Sequence, residues 1–274
     1  GWLRLLTDDL DGARADLGAA ARTAGPHGIV NSVAFSLAYL ARAEYLAGAW
    51  DDAVLHAERA AMYAAESDSA LVRGLVFGVA VLVPAARGDH DASAEAARRA
   101  AEGDGGYERG LVAAGLGAAQ AATARDDPDA VLAALAPVAR LARETLRGEG
   151  SGLLEPGVWP WADLYAEALV GIGRTADADV FLRPHEQRAA RGPASALARL
   201  ARARGRIEAA RGRPDEAETA FRRGLTALAG LTMPFETALL ELAFGEFLRD
   251  QGRAADAAPI LDAAHTRFTA LGAA

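Results

Sequence analysis

The residues whose types suit metal binding or acid–base chemistry are aspartates and histidines, and their spacings stop short of complete motifs. Asp126, Asp127 and Asp129 approach an Asp-Asp-x-x-Asp magnesium box, but that box needs its third aspartate at position 130, which is alanine. His185 and Glu186 begin a His-Glu-x-x-His zinc motif, but position 189 is alanine instead of histidine. We therefore predict that the aspartates cap a helix at a turn and bind no metal.

The other histidines show no metal-binding pattern either. Asp262 and His265 have the i, i+3 spacing that places two ligands on one helix face, but a di-metal site needs matching pairs on other helices. His27, His56 and His90 share no spacing. We predict solvated side chains for all histidines, and we predict no metal, cofactor or catalytic residue.

Arginines recur on one face of a predicted helix. The stripe consists of Arg199, Arg202, Arg206 and Arg213. Such a stripe predicts an anchor for an anionic effector or for an acidic partner surface, because arginine forms bidentate, charge-assisted hydrogen bonds with carboxylates. The alternative is a solvated face that pairs with glutamates of the neighbouring helix. Those glutamates are Glu208, Glu216 and Glu218.

Aromatic residues complete a predicted binding groove. Trp161 lies at a loop–helix junction, where an aromatic residue lines a pocket or covers the apolar end of a neighbouring helix pair. Tyr39 lies on an earlier helix. We predict that Tyr39, Trp161, Arg199 and Arg202 line the concave groove of a helical stack. Such a groove would bind an acidic peptide, or a ligand with an apolar body and an acidic group. This prediction requires both arginines to be exposed.

Composition excludes several other classes of function. The chain has no cysteine and no lysine, which excludes thiolate zinc sites, cysteine nucleophiles, Schiff-base chemistry and the lysine of a phosphate-binding loop. Its net charge of -8 argues against direct binding of nucleic acid. No apolar run reaches the length of about 18 residues that a membrane span needs. Hydrophobic residues make up 51% of the chain, enough for a sizeable core.

The elements that would position these residues follow a repeat of about 40 residues, the signature of a helical solenoid. It is carried by short turn segments with the pattern Gly-x-x-x-[Glu/Asp]-Ala. The clear copies are 48–53, 173–178, 212–217 and 252–257, and the weaker copies are 8–13, 88–93 and 125–130.

Each repeat is predicted to contain two helices. The glycine at the first position suits a left-handed residue that ends one helix, and Asp or Pro just after it suits the start of the next. The alanine at the sixth position lets the paired helices approach closely. Sustained alternation of β-branched residues is missing, so we predict an all-α protein. The predicted architecture is a right-handed α-solenoid of about six to seven helix pairs.

Prolines and one loop divide this pattern. Several prolines precede or open helical segments, whereas Pro84 and Pro137 are expected to kink theirs. The loop-like segment 148–157 leaves two possibilities open: one continuous domain over 1–274, or two sub-domains. Only residues 2–6 stand before the first turn, so the chain opens half-way through a repeat. We expect it to be part of a longer protein.

The turns resemble those of tetratricopeptide repeats, with somewhat longer helices. Two further stretches, 155–174 (EPGVWPWADLYAEALVGIGR) and 233–245 (MPFETALLELAFG), are similar to the repeat region of large actinobacterial LuxR-family transcriptional regulators of the MalT-like class. The resemblance covers most of the chain and is strongest from residue 155 onward.

This resemblance implies a cytoplasmic three-part parent protein with an ATPase, a helical repeat sensor and a DNA-binding helix-turn-helix. The chain would be the non-catalytic sensor, whose partners are an effector and the other two parts of the parent. It carries no Gly-x-x-x-x-Gly-Lys motif, so no ATP-binding residue is carried over. Self-association stays open. The alternatives are a general tetratricopeptide scaffold from another multidomain protein and a helical enzyme.

Overall fold

The computed structural model describes residues 1–67, 69–102, 108–145, 157 and 159–274. Within these residues the chain forms helices, turns and short connections, and it contains no β-strand. The prediction of an all-α protein is confirmed. Among the helices of these residues, none is long and apolar enough to cross a membrane.

The chain divides into two compact units, an N-terminal unit of residues 1–154 and a C-terminal unit of residues 155–274. The division falls within the segment 148–157, where the sequence left a boundary open. Apart from Gly157, that segment lies outside the described residues. A single domain over the whole chain stays a prediction.

The N-terminal unit packs its helices in sequential order. Each helix contacts its successor, and α3, α5 and α8 also contact one another in turn. These helices are α1 (Trp2–Leu5), α2 (Leu10–Ala24), α3 (Val30–Ala47), α4 (Trp50–Ala65), α5 (Ala70–Ala80), α6 (Leu82–Ala86), α7 (His90–Glu102), α8 (Glu108–Thr123) and α9 (Pro128–Thr145). A 3₁₀ turn at Gly25–His27 joins α2 to α3.

The C-terminal unit has the same sequential packing. Its helices are α10 (Ala162–Gly171), α11 (Thr175–Ala189), α12 (Ala194–Ala210), α13 (Pro214–Leu228), α14 (Pro234–Asp250) and α15 (Ala254–Leu271). Each helix contacts its successor, and α12 additionally contacts both α10 and α14. The unit therefore has one layer made by α10, α12 and α14, against which α11, α13 and α15 pack.

The turns between paired helices adopt the left-handed conformation that the sequence predicts. Glycine is required at most of them, because a residue with a Cβ atom is strained at positive φ. The five turn glycines have φ between 70° and 82°: Gly48, Gly88, Gly173, Gly212 and Gly252. Two aspartates take the same conformation at the weaker copies, Asp8 with φ 63° and Asp126 with φ 52°.

The turn before α9 lies one residue later than the sequence pattern placed it. Asp126, and not Arg125, is the left-handed residue, and the side chain that fills the helix contact is Val131 (3% exposed). The Asp127 carboxylate accepts a hydrogen bond from the backbone N–H of Ala130 at 2.9 Å. The predicted capping role of this aspartate is therefore confirmed.

Some prolines interrupt or begin helices, whereas Pro137, Pro184 and Pro259 lie inside helices that continue. Helix α5 ends at Ala80, the residue whose carbonyl would have accepted a bond from the missing N–H of Pro84. Pro137 behaves differently, because α9 continues through it. Three prolines are the first residues of their helices: Pro128, Pro214 and Pro234.

Close packing of α12 on α13 positions the surface described below. A Cβ atom on Gly205 of α12 would lie 2.5 Å from the ring of Phe221 of α13. Phe221 is itself buried. The absence of a side chain at Gly205 thus lets the aromatic ring approach the α12 backbone and holds the two helices together.

Candidate functional site

The C-terminal unit has an open groove of about 370 Å³ that is bounded by α11, α12 and α13. Helices α11 and α13 form its two walls, and α12 lies beneath them. Its volume falls in the range of small-ligand and side-chain pockets. The groove is lined by Glu186, Ala189, Leu197, Leu200, Ala201, Arg204, Glu208, Asp215, Glu216, Thr219, Ala220 and Arg223.

The floor of the groove is apolar. Leu197, Leu200 and Ala201 lie on α12, and they are joined by Ala189 from α11 and Ala220 from α13. The alanines leave room that larger residues would fill. The floor therefore offers aliphatic surface to a bound side chain, which binding sites use for affinity.

One wall of the groove is fixed to α12 by Arg204, whose guanidinium donates four hydrogen bonds to carboxylates of the same unit. Arg204 donates to both carboxylate oxygens of Glu186, from Nε at 2.9 Å and from Nη2 at 2.6 Å. Its Nη1 donates to Asp179 at 2.6 Å and to Glu208 at 3.1 Å. The hydrogen bonds to Glu186 and Asp179 outweigh the cost of burial and raise the pKa of Arg204.

Asp179 is the anionic centre of this cluster. Its carboxylate is buried, and it accepts from Arg183 and Arg204 and lies 2.9 Å from Arg211. The hydrogen bond from Arg183 contributes most to lowering the pKa of Asp179, and Arg204 and Arg211 add to it against the effect of burial. Asp179 therefore stays ionised and fixes the C-terminal half of α12 against α11.

The rim of the groove contrasts with this wall, because its charges are free. Asp215, Glu216 and Arg223 are exposed on α13. Within the described residues their side chains form no ion pair or hydrogen bond. Thr219 lies between them and donates to the backbone carbonyl of Asp215 at 2.8 Å. These charges are available to a partner at no cost of breaking an internal pair.

Arg199 and Arg202, which the sequence placed in an exposed groove, are buried. They are 7% and 5% exposed, respectively. Arg199 lies 3.5 Å from Glu236 of α14, and Arg202 lies 2.8 Å from Glu167 and 3.4 Å from Asp163, both of α10. The prediction that these arginines are exposed is wrong, because inter-helix carboxylates already occupy them.

The glutamates expected as the alternative partners of the stripe are also not the partners of these two arginines. Glu208 instead pairs with Arg204 and with Arg213, the latter at 3.5 Å. Glu218 pairs with Arg222 and Arg253. The contacts of Arg199 and Arg202 cross from α12 to α10 and α14, which lie one repeat before and one repeat after it.

The pKa values of the two carboxylate partners of Arg202 are shifted in opposite directions, although Arg202 lowers both. Burial is the dominant influence on Asp163 and raises its pKa, although Arg202 and Arg199 oppose this. Burial would also raise the pKa of Glu167, but the charges of Arg202 and Arg206 outweigh it and lower that pKa. Glu167 has both the shorter contact with Arg202 and the additional charge of Arg206 beside it.

Trp161 is part of the core of the C-terminal unit and does not line the groove between α11 and α13. It is 2% exposed and packs on the rings of Phe181 and His185 at centroid distances of 5.6 Å and 5.3 Å. The expectation that it offers exposed aromatic surface is wrong. His185 is likewise buried, and this burial lowers its pKa to about 4, so it is neutral at pH 7.

Tyr39 belongs to the N-terminal unit, whereas the groove belongs to the C-terminal unit. It is half-buried on α3, and its ring lies 6.5 Å from that of Trp2. Burial raises the pKa of its hydroxyl. None of the four predicted binding residues lines the groove, and whether Tyr39 binds a partner stays a prediction.

The histidines differ from the prediction that all are solvated. His27, His90 and His265 are exposed, as expected. His185 is buried, and Nδ1 of half-buried His56 lies 2.8 Å from Glu44, so the prediction is wrong at these two positions. In the described ranges, no group of three or more histidine, aspartate or glutamate side chains is arranged to hold a metal ion.

Some residues of the groove were singled out from the sequence, but the groove itself was not predicted. Glu208 and Glu216 entered only as partners of the arginine stripe, and Asp215, Thr219 and Arg223 were not singled out. A signal existed in the segment 212–217, because a turn with two adjacent acidic residues leaves charge at a helix start. The groove itself depends on the gap between α11 and α13, which no spacing along the chain reveals.

Comparison with known proteins does not assign this site. No protein-family model matches the chain, and no curated protein matches its sequence at a significant level. The resemblance to tetratricopeptide repeats and to LuxR-family regulators therefore stays a prediction.

Proposed function

We propose that this chain is a non-catalytic helical repeat module that binds a partner through the groove between α11 and α13. The observation that carries the proposal is the pairing of an apolar floor with rim charges that the described residues leave unsatisfied. The buried charges Arg199, Arg202 and Asp179 are paired inside the unit, whereas the rim charges beside the apolar floor are available to a partner.

The proposal includes a right-handed α-solenoid of tetratricopeptide-like repeats. It is supported by the seven left-handed turns and by the contacts of α12 with both α10 and α14. In a solenoid each repeat contacts only its neighbours, and the surfaces between successive helices are open to partners. A groove between α11 and α13 is one such surface.

The biological setting that we propose is the sensor part of a LuxR-family regulator in the cytoplasm. Its support is the similarity of the stretches 155–174 and 233–245 to that family. Partner binding at the groove would be relayed to an ATPase and a DNA-binding domain elsewhere in the parent protein. The direct test of this setting is the coding sequence on either side. An upstream Gly-x-x-x-x-Gly-Lys motif and a downstream helix-turn-helix are expected, and other flanking domains would refute the regulator assignment.

The role of the groove is tested by filling it in the parent protein. Thr219→Trp places a large ring at the rim, and we expect it to change the transcriptional response of a reporter. Thr226→Trp is the matched control, because Thr226 is also exposed on α13 and donates to the carbonyl four residues earlier. Thr226 does not line the groove. Equal responses from both variants would argue against the groove as the binding site.

A further inference from the structure

We propose that the groove binds a short amphipathic α-helix that carries apolar side chains on one face and a lysine or arginine beside them. This inference rests on the proposed function and adds the chemical class of the partner. It opposes the acidic partner that the arginine stripe predicts. Four observations carry it: the free charges, the carboxylate-bound guanidinium of Arg204, the length of the groove and its floor.

The free charge of the groove is mainly negative. Its lining contains four carboxylates and two guanidiniums: Glu186, Glu208, Asp215 and Glu216 against Arg204 and Arg223. Glu186 and Glu208 are bound to Arg204. Asp215 and Glu216 therefore remain, among the residues that the structure describes, as adjacent carboxylates without an ion pair in the first turn of α13. A cationic side chain complements them, and charge complementarity selects partners and speeds association.

Arg204 does not offer an anion site, although it lies in the groove. Its Nε and both terminal nitrogens already donate to carboxylates of Glu186, Asp179 and Glu208. These four bonds use four of the five N–H donors, so an acidic partner would find one N–H of Nη2 and no free pair of donors to bind a carboxylate bidentately. Arg223 is the remaining cation of the lining, so an acidic group is accommodated only there.

The length of the groove fits two turns of helix. Along α13 the lining residues run from Asp215 through Thr219 to Arg223, a distance of about 12 Å at the helical rise per residue. The walls are themselves helices, and a third helix packs naturally into the gap between two neighbours. Recognition of this kind uses apolar anchors at i, i+3 or i+4 and i+7.

The floor of the groove suits aliphatic anchors. Leu197 and Leu200 supply apolar surface, and the small residues Ala189, Ala201 and Ala220 leave space between the walls. Two leucine-sized side chains on successive turns of a partner helix would cover this floor. The cation of the partner would then lie beyond the anchors, near Asp215 and Glu216.

The experiment is a selection from helical peptides against the full chain. The probe is a displayed library of about 18-residue helices, a length at which isolated helices become populated, randomised on one face and at flanking positions. The Thr219→Trp variant serves for counter-selection, and the Thr226→Trp variant is the matched control. We expect selected peptides to carry aliphatic residues at i, i+3 or i+4 with a flanking lysine or arginine.

The selected peptide is then measured in solution by fluorescence anisotropy. We expect Asp215→Asn combined with Glu216→Gln to weaken binding by about fivefold, the size of two exposed ion pairs, and added salt to weaken it further. The double variant and the Thr219→Trp variant replace exposed side chains only. Circular dichroism and the thermal midpoint of each variant check that it is folded. The Thr226→Trp variant should bind like the unmodified chain.

Three outcomes would overturn the proposal. Selection of acidic peptides would reverse the sign of the partner charge. Absence of any peptide whose binding depends on Thr219 would remove the helix as occupant. Self-association that Thr219→Trp abolishes, measured by sedimentation, would make a second copy the occupant. None of these three outcomes decides whether the chain is part of a LuxR-family regulator. That proposal is tested separately, by the flanking coding sequence and the reporter response.

Discussion

Arg202 donates from Nε to Oε1 of Glu167 at 2.8 Å and joins two helices of the C-terminal unit, α12 and α10. Both charges are withdrawn from water, and Arg202 also lies 3.4 Å from Asp163. A buried pair of this kind costs desolvation free energy to form, but its loss leaves uncompensated charge in the interior. The relationship makes Arg202 a determinant of stability.

Replacing Arg202 is therefore expected to destabilise the C-terminal unit. Arg202→Ala leaves Asp163 and Glu167 buried without their cation, and the free energy of unfolding should fall by about 3 to 5 kcal/mol. Chemical denaturation followed by circular dichroism measures this change. The matched control is Arg206→Ala, because Arg206 is more exposed and lies 3.6 Å from the same glutamate. The control should cost less than about 1 kcal/mol. Equal small losses from both would contradict the structural role of Arg202.

Stability of the C-terminal unit should decrease when the pH falls below about 6.5, because His185 is buried as the neutral form. Its pKa of about 4 in the folded protein lies below the ordinary value of 6.5, so the unfolded state binds more protons in between. The stabilising contribution is complete above pH 6.5 and is lost as the pH falls toward 4. Its upper size is about 3 kcal/mol.

The contribution of His185 is isolated by comparing unfolding free energies at pH 7 and pH 4.5 between the unmodified chain and His185→Phe. Phenylalanine preserves the ring contacts with Trp161 and Phe181 and does not titrate. We expect a smaller decrease in the variant. His265→Phe is the control, because His265 is exposed and should leave the pH dependence unchanged. An unaltered pH dependence in His185→Phe would show that another group causes it.

Because Asp126 and Gly212 are both left-handed turn residues, Asp126→Gly and Gly212→Ala should change the free energy of unfolding in opposite directions. Asp126 holds φ 52° with a Cβ atom, so Asp126→Gly should raise the free energy of unfolding by about 0.5 kcal/mol. Gly212 holds φ 70° in open space, so Gly212→Ala should lower it by about 1 kcal/mol. Thermal unfolding of each variant measures the sign. The same sign for both would refute strain as the cause.

The C-terminal unit is expected to fold by itself. Residues 155–274 form a compact unit whose described ion pairs at Arg199, Arg202 and Arg204 all have partners inside it. Expressed alone, this segment should give a helical circular-dichroism spectrum and one cooperative thermal transition. A gradual, non-cooperative loss of helix would instead show that it needs the rest of the chain.

Local features of the fold were determined by the sequence alone, because they depend on neighbours along the chain. A glycine or aspartate at a turn sets the backbone φ, and a carboxylate three residues before a free N–H caps it. This is why the turns at Gly48 and Gly212, the cap at Asp127 and the helix starts at Pro214 and Pro234 were all predictable. The one-residue error at Asp126 arose because aspartate replaces the usual glycine there.

The functional residues were decided by the tertiary structure, because an arginine stripe says nothing about what lies opposite it. Arg202 and Asp215 are both charged. The carboxylates of α10 pack against Arg202, whereas Asp215 is exposed on α13. Burial of Trp161 likewise depends on the packing of Phe181, which lies on the next helix, against its ring. The helices that pack against each other determine which charges form pairs. The free charges of the groove can therefore be identified only from the tertiary structure, once the internal ion pairs are known.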